Sequence, residues 1–234
     1  MPKTAGNEEF MELVRAIVAG ESERAARLVE ASPGLVQARA ARGASRGDHN
    51  EFFFEPIRHY LYAGDTALHI AAAGFRWKII RELLARGADY SAENRRGAQP
   101  LHYASDANTW NPASQVASIE SLIRAGANPN ALDKNGVAPL HRAVRTRSAA
   151  AVAALLIGGA DPRLKNKSGS TPLHLAVQNT GRGGTGEPHS IEQQRQIILI
   201  LLQNSARPGD RDGQGRTVEQ ATRATWIREL LEQH

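Results

Sequence analysis

The chain has 234 residues, enough to bury a sizeable core in one or two domains, and no cysteine, which excludes disulfides, cysteine-ligated zinc and thiol catalysis together. Its 29 lysines and arginines outnumber 24 acidic residues, a balance that suits an acidic partner without requiring nucleic acid. Only five of those cations are lysines: Lys3, Lys78, Lys134, Lys165 and Lys167. A GC-rich coding bias explains the excess of arginine and the abundant alanine. No run of about 18 apolar residues reads as a membrane span, and the first twenty residues lack the basic, apolar, small-residue order of a signal peptide. A cytoplasmic monomer is the expectation.

Glu8 to Gln37 reads as a pair of helices, with Phe10, Leu13, Val14 and Ile17 on the first and Ala25, Leu28 and Val29 on the second. Arg39 to Asn50 is polar and contains glycine, so a mobile loop is expected. Residues 51–62 then concentrate three of the five phenylalanines and two of the four tyrosines. This segment reads either as an enlarged turn packed on the unit that follows or as an aromatic ridge covered by a partner. Phe53, Tyr60 and Tyr62 are the candidate contacts, because aromatics and arginine dominate binding hot spots.

From residue 65 onward one phrase recurs: Thr66-Ala-Leu-His, Gln99-Pro-Leu-His, Ala138-Pro-Leu-His and Thr171-Pro-Leu-His. The histidines fall at 69, 102, 141 and 174, giving steps of 33, 39 and 33. A second phrase follows each, ending at Gly87, Gly126, Gly159 and Ser205. The first and third units run 18 residues from histidine to glycine, the second 24 and the fourth 31 to Ser205. Insertions near 107–115 and 180–190 account for the excess. Gln220 takes the histidine position in a frayed fifth unit, 46 residues after His174.

Local physics explains the unit. Pro100, Pro139 and Pro172 sit where a first helical turn loses nothing by lacking an N–H. Thr66 and Thr171 precede that turn as caps. Gly87, Gly126 and Gly159 end a second helix carrying apolar pairs such as Ile79, Ile80, Leu83 and Leu84. Gly97, Gly136, Gly169 and Gly215 mark the turn into the next unit. Each unit is too thin to bury its own apolar face, so neighbours must stack and end units must face water.

These phrases and their period resemble the ankyrin repeat over residues 65–231. The resemblance implies an all-α solenoid of stacked helix-turn-helix units joined by hairpin fingers. Residues 1–64 would form an N-terminal cap with an extended aromatic first finger. Four repeats would follow (65–97, 98–136, 137–169 and 170–215), closed by a capping repeat over 216–234. Helix pairs are expected to start near 66, 99, 139, 171 and 217, with both insertions emerging on the edge opposite the fingers.

The resemblance also implies that the four histidines are structural, bonding loop backbone. A metal site is the competing reading of the histidine column. Glu187 and His189, and Asp48, His49 and Glu51, lack a third ligand at fixed spacing. Gly181 to Gly186 is no phosphate loop, since no strand precedes it and no Lys-Ser/Thr follows. No nucleophile–base pair stands in a recognisable motif, so neither catalysis nor a cofactor is expected.

Family members contact partners through finger tips and exposed first-helix residues. Here those positions are Glu93, Arg95, Arg96 and Ala98; Leu132, Lys134, Asn135 and Val137; Lys165, Lys167, Ser168 and Ser170; and Arg211, Gly213, Gln214 and Arg216, with Arg145 on the adjoining helix. Every finger carries a cation. The expected partner is an acidic protein or peptide lying across them. Nucleic-acid binding by the same basic fingers is the alternative, weakened by the lack of aromatic stacking positions among them.

Overall fold

In the computed structural model, which describes residues 5–45, 47, 50–106, 109–178 and 188–233, each recurring phrase opens a short helix. The chain divides into two compact units, 1–128 and 129–234.

In the first unit, α1 (Ala5–Ala19) and α2 (Ser22–Ala31) form the terminal pair. The pairs α3 (Ala67–Ala73) with α4 (Trp77–Ala85) and α5 (Pro100–Ala104) with α6 (Pro112–Arg124) follow. First helices stack on first helices, α1 on α3 and α3 on α5, and second on second, α2 on α4 and α4 on α6. Phe10, Leu13, Ile17, Leu68, Ile70, Ile80, Leu83, Leu101 and Ile119 fill the space between the layers.

The second unit repeats the pattern with α7 (Pro139–Arg145), α8 (Ala149–Ile157), α9 (Pro172–Ala176) and α10 (Pro188–Gln203). It closes with α11 (Val218–Ala221) and α12 (Thr225–Glu232). Here α7 stacks on α9, α9 on α11 and α8 on α10. The repeat helices therefore start at 67, 100, 139, 172 and 218, as the spacing predicts.

The histidines carry the stacking. The backbone N–H of the capping residue donates to Nδ1 in every repeat: Thr66 to His69 (3.1 Å), Gln99 to His102 (3.1 Å), Ala138 to His141 (3.2 Å) and Thr171 to His174 (3.3 Å). Nδ1 is thus an acceptor, and the ring proton sits on Nε2. From there His69 donates to the Ala98 carbonyl (3.0 Å), His141 to Ser170 (3.3 Å) and His174 to Arg216 (3.2 Å). One ring ties a helix start to the next finger. Both nitrogens are engaged, which leaves no lone pair for a metal. Gln220 keeps the cap half of the job, its Oε1 accepting from the Thr217 N–H at 3.0 Å.

Helix ends follow the sequence as well. Gly87, Gly126 and Gly159 have φ of +86°, +109° and +92°, and Ser205 occupies the same left-handed position at +72°.

The insertions lengthen the second helices: α6 and α10 reach 13 and 16 residues against nine for α4 and α8. Residues 112–115 and 188–190 are helical, and the Asn111 side chain caps α6 by accepting from the Ser114 N–H (3.1 Å). Residues 107, 108 and 179–187, including the glycine-rich run, lie outside the described residues, as do His49 and Asp48.

The segment 39–45 is not a free loop. The Ala40 N–H donates to Asp65 O and the Gly64 N–H to Ala40 O, both at 2.8 Å, and Ala44 N–H reaches Leu61 O at 2.8 Å. At Gly43 a Cβ would sit 2.5 Å from the Ala63 nitrogen, so only glycine allows the two segments to press together. Beyond it a hairpin pairs β1 (Phe53–Phe54) with β2 (His59–Tyr60), Phe53 opposite Tyr60. Phe52, Ile57 and Leu61 are buried. The packed, enlarged first finger is the arrangement observed.

Candidate interaction surface on the fingers

Each finger is built around one residue that sequence reading overlooked: Asn94, Asp133, Asn166 and Asp212. The N–H of each donates to the carbonyl four residues on (Ala98, Val137, Ser170 and Arg216, 2.9 to 3.1 Å). The glycine three residues on returns an N–H to its carbonyl. Its Oδ1 accepts from the N–H groups two and four residues on: Arg96 and Ala98, Asn135 and Val137, Ser168 and Ser170, Gln214 and Arg216. Short Asx side chains are suited to this self-bonded turn. The signal was present, since an Asn or Asp stands three residues before Gly97, Gly136, Gly169 and Gly215.

The turn presents the residue before the Asx and the two after it to solvent. The fourth predicted position projects less in the first three fingers, where Ala98 is buried and Val137 and Ser170 are half-buried, but Arg216 of the last finger is exposed.

In the first unit the predicted residues gather at the aromatic finger. The Phe53 and Tyr60 rings lie 4.8 Å apart, and Tyr60 and Tyr62 lie 6.3 Å apart. The Arg96 guanidinium sits 4.7 Å from the Tyr62 ring centroid and that of Arg95 5.7 Å away. Arg95 also hydrogen-bonds the Ala44 carbonyl. Phe53, Tyr60 and Tyr62 are half-buried, so the ridge is largely satisfied by its own neighbours.

Below it lies a polar knot. Buried Asp65 accepts from the Tyr62 N–H (2.7 Å), Asn94 Nδ2 (2.8 Å) and the Tyr103 hydroxyl (2.9 Å). Burial nevertheless pushes its carboxyl up to about 6, against those hydrogen bonds and the Arg95 charge. Burial also pushes the His69 imidazole down to about 3.

In the second unit Lys134, Lys165, Lys167 and Arg145 are exposed. Arg211 donates to the Gly215 carbonyl at 2.6 Å. Arg216 is exposed and at the same time holds Asp212 through Nε (3.0 Å) and Nη2 (2.8 Å). Arg142 pairs with buried Asp133 at 3.0 Å. Burial pushes that carboxyl up, but the Val137 N–H, Arg142 and the Asn135 N–H together hold it below the usual range.

The charge divides sharply between the units. Residues 1–128 hold fifteen Lys and Arg against fifteen Asp and Glu, whereas 129–234 hold fourteen against nine. The entire excess of five resides in the second unit.

Two glutamines also escaped notice. Gln115 Nε2 donates to Ala104 O (3.0 Å), and Gln194 Nε2 to Ala176 O (2.7 Å) and Gln178 O (2.9 Å). Both fall eleven residues before the left-handed helix end, at Gly126 and Ser205. They anchor the lengthened second helices to the ends of α5 and α9. Arg147 adds bonds to the same Ala176 and Gln178 carbonyls (2.9 and 2.7 Å). Among the described residues no group of three potential metal ligands comes together, and no helix is long and apolar enough to cross a membrane.

Comparison with known proteins agrees with this architecture. A profile of three ankyrin repeats matches residues 110–212, and a single-repeat profile matches 63–95. An ankyrin repeat protein of fowlpox virus (strain NVSL), FPV223, is 30% identical over 108 residues, covering 36% of this chain and 77% of the viral protein. Tyrosine-protein kinase Shark of Drosophila melanogaster is 39% identical over 83 residues, 35% of this chain and 8% of the kinase. NF-kappa-B inhibitor delta of Mus musculus is 37% identical over 83 residues, 34% of this chain and 24% of the inhibitor. The matched stretch is thus a small part of the kinase and of the inhibitor. The chain belongs to the ankyrin-repeat family. Ankyrin repeats are general protein–protein interaction modules and typically carry no catalysis of their own.

Proposed function

We infer that this chain is a binding module that holds an acidic protein or peptide on its finger tips. The supporting observation is the set of exposed cations on self-bonded turns in the second unit, where Lys165 and Lys167 make no side-chain hydrogen bond or ion pair among the described residues. Rigid presentation lowers the ordering cost of association, and rim cations mainly accelerate encounter with an acidic surface. Arg95 and Arg96, stacked on Tyr62 beside Tyr60 and Phe53, offer a second contact zone on the first unit; Arg145 extends the basic surface of the second.

The Lys134→Glu/Lys167→Glu variant tests this reading. Immobilised wild-type and variant chains are incubated with native lysate and the retained proteins compared by mass spectrometry. Acidic proteins held by the wild type should be lost from the variant, while thermal unfolding stays unchanged because neither side chain enters the core. Identical retained sets would reduce the basic fingers to solvated charge. Binding to single-stranded oligonucleotide with a steep dependence on log salt would favour a nucleic-acid partner instead.

A further inference from the structure

The fingers of the second unit present two files of side chains, one before and one after the Asx residue of each turn. In chain order the first file reads Leu132, Lys165, Arg211 and the second Lys134, Lys167, Gly213. Leu132 is 47% exposed, one of three large apolar side chains so exposed among the described residues. It stands in line with two cations.

The fingers are in backbone contact, which fixes their spacing. The Gly213 N–H donates to the Ser168 carbonyl at 3.1 Å, and a Cβ on Gly213 would lie 2.5 Å from that oxygen. A Cβ on Gly136 would lie 2.8 Å from the Lys167 nitrogen. The first helices that carry these fingers stack in order, α7 on α9 and α9 on α11, and packed helices lie about 8–10 Å apart, so equivalent finger residues recur at about that interval. A peptide in the extended polyproline II conformation advances about 3.1 Å per residue with three residues per turn, so every third side chain faces the same way, about 9 Å apart.

Three carboxylates near the files are already held by arginines. Asp133 is held by Arg142, Asp212 by Arg216, and Asp210 by Arg163 through bonds of 2.8 and 3.0 Å. Those three arginines all lie outside the files. Lys165, Lys167 and Arg211 are exposed on the files.

From this register we propose that the second unit binds an extended acidic peptide carrying one apolar and two acidic residues at three-residue intervals, the apolar one on Leu132 and the acids on Lys165 and Arg211. Lys134 and Lys167 flank the peptide and add attraction for further acids. Either chain direction satisfies the spacing. The proposal rests on the acidic-partner reading above and adds its register.

A phage-displayed library of random dodecapeptides, selected in parallel on the full wild-type chain and on Lys165→Glu/Arg211→Glu, tests it. Enriched peptides should share two acids three residues apart and an apolar residue three further along. They should vanish from the variant selection. Leu132→Ala should relax the apolar position and keep both acids. A selected peptide, labelled and measured by fluorescence polarisation, should bind the double variant at least ~tenfold more weakly. If charge reversal unfolds the chain, Lys165→Gln/Arg211→Gln carries the same comparison. Acid-rich peptides with no three-residue spacing would overturn the register and leave the acidic-partner reading standing. Peptides without excess acid, or no enrichment, would overturn both. Oligothymidylate binding more tightly than the best peptide, and lost with the same variant, would replace the peptide by single-stranded nucleic acid.

Discussion

His69→Ala is the most direct probe of how the repeats are joined. The ring is fully buried and accepts from the Thr66 N–H at 3.1 Å while donating to the Ala98 carbonyl at 3.0 Å. Removing it orphans the buried Thr66 N–H, worth about 1–3 kcal/mol, takes one of two hydrogen bonds from the Ala98 carbonyl, which keeps the Asn94 N–H, and leaves a ring-sized void beside Tyr103. A total loss of about 3–5 kcal/mol is expected. His69→Gln should cost only about 1–2 kcal/mol, because a glutamine at this position keeps the cap bond, as Gln220 does with Thr217. Urea unfolding followed by circular dichroism gives the two losses. Hydrogen exchange adds the location, since repeat arrays need not unfold in one step: amides 94–98 should exchange faster in both variants. An alanine variant within about 1 kcal/mol of wild type would refute the reasoning, as would a glutamine variant no better than alanine.

The buried pair beneath the aromatic finger predicts an unusual pH response. His69 stays neutral in the folded chain down to about 3 but takes a proton at 6.5 when unfolded, so it withdraws stability as pH falls through that window. Asp65 acts oppositely: its folded carboxyl titrates at about 6 against 3.8 unfolded, so the folded state gains stability as pH falls from 6 to 4. The effects offset each other. Between pH 6 and 4, Asp65→Asn should unmask the histidine and lose about 1.4 kcal/mol per pH unit relative to wild type; parallel Tm–pH curves for the two proteins across that window would contradict this. Ser205→Gly should stabilise the chain by about 1 kcal/mol, because serine pays a steric cost at φ +72° that glycine does not. An unchanged or lowered denaturation midpoint would show that the Ser205 side chain contributes something else.

The spacing of His69, His102, His141 and His174 was enough to place the first helix of every repeat within a residue, because each start depends on a capping residue and a histidine (glutamine in the last unit) three positions on, with a proline between them at Pro100, Pro139 and Pro172. These are short-range instructions, carried by bonds between residues that are neighbours in the chain. The finger turns were equally local, and Asn94, Asp133, Asn166 and Asp212 could have been read from their glycines. What happens to charge could not. Arg216 and Arg95 looked alike in sequence to Lys165 and Lys167, yet the first is held by Asp212 and the second by the Ala44 carbonyl and Tyr62. Whether a cation is left for a partner depends on which acceptors lie within about 3 Å, and for Arg95 that acceptor is 51 residues away in the chain. The lengthened α6 and α10 were hidden for the same reason: Gln115 and Gln194 hold them to carbonyls that only folding brings within reach.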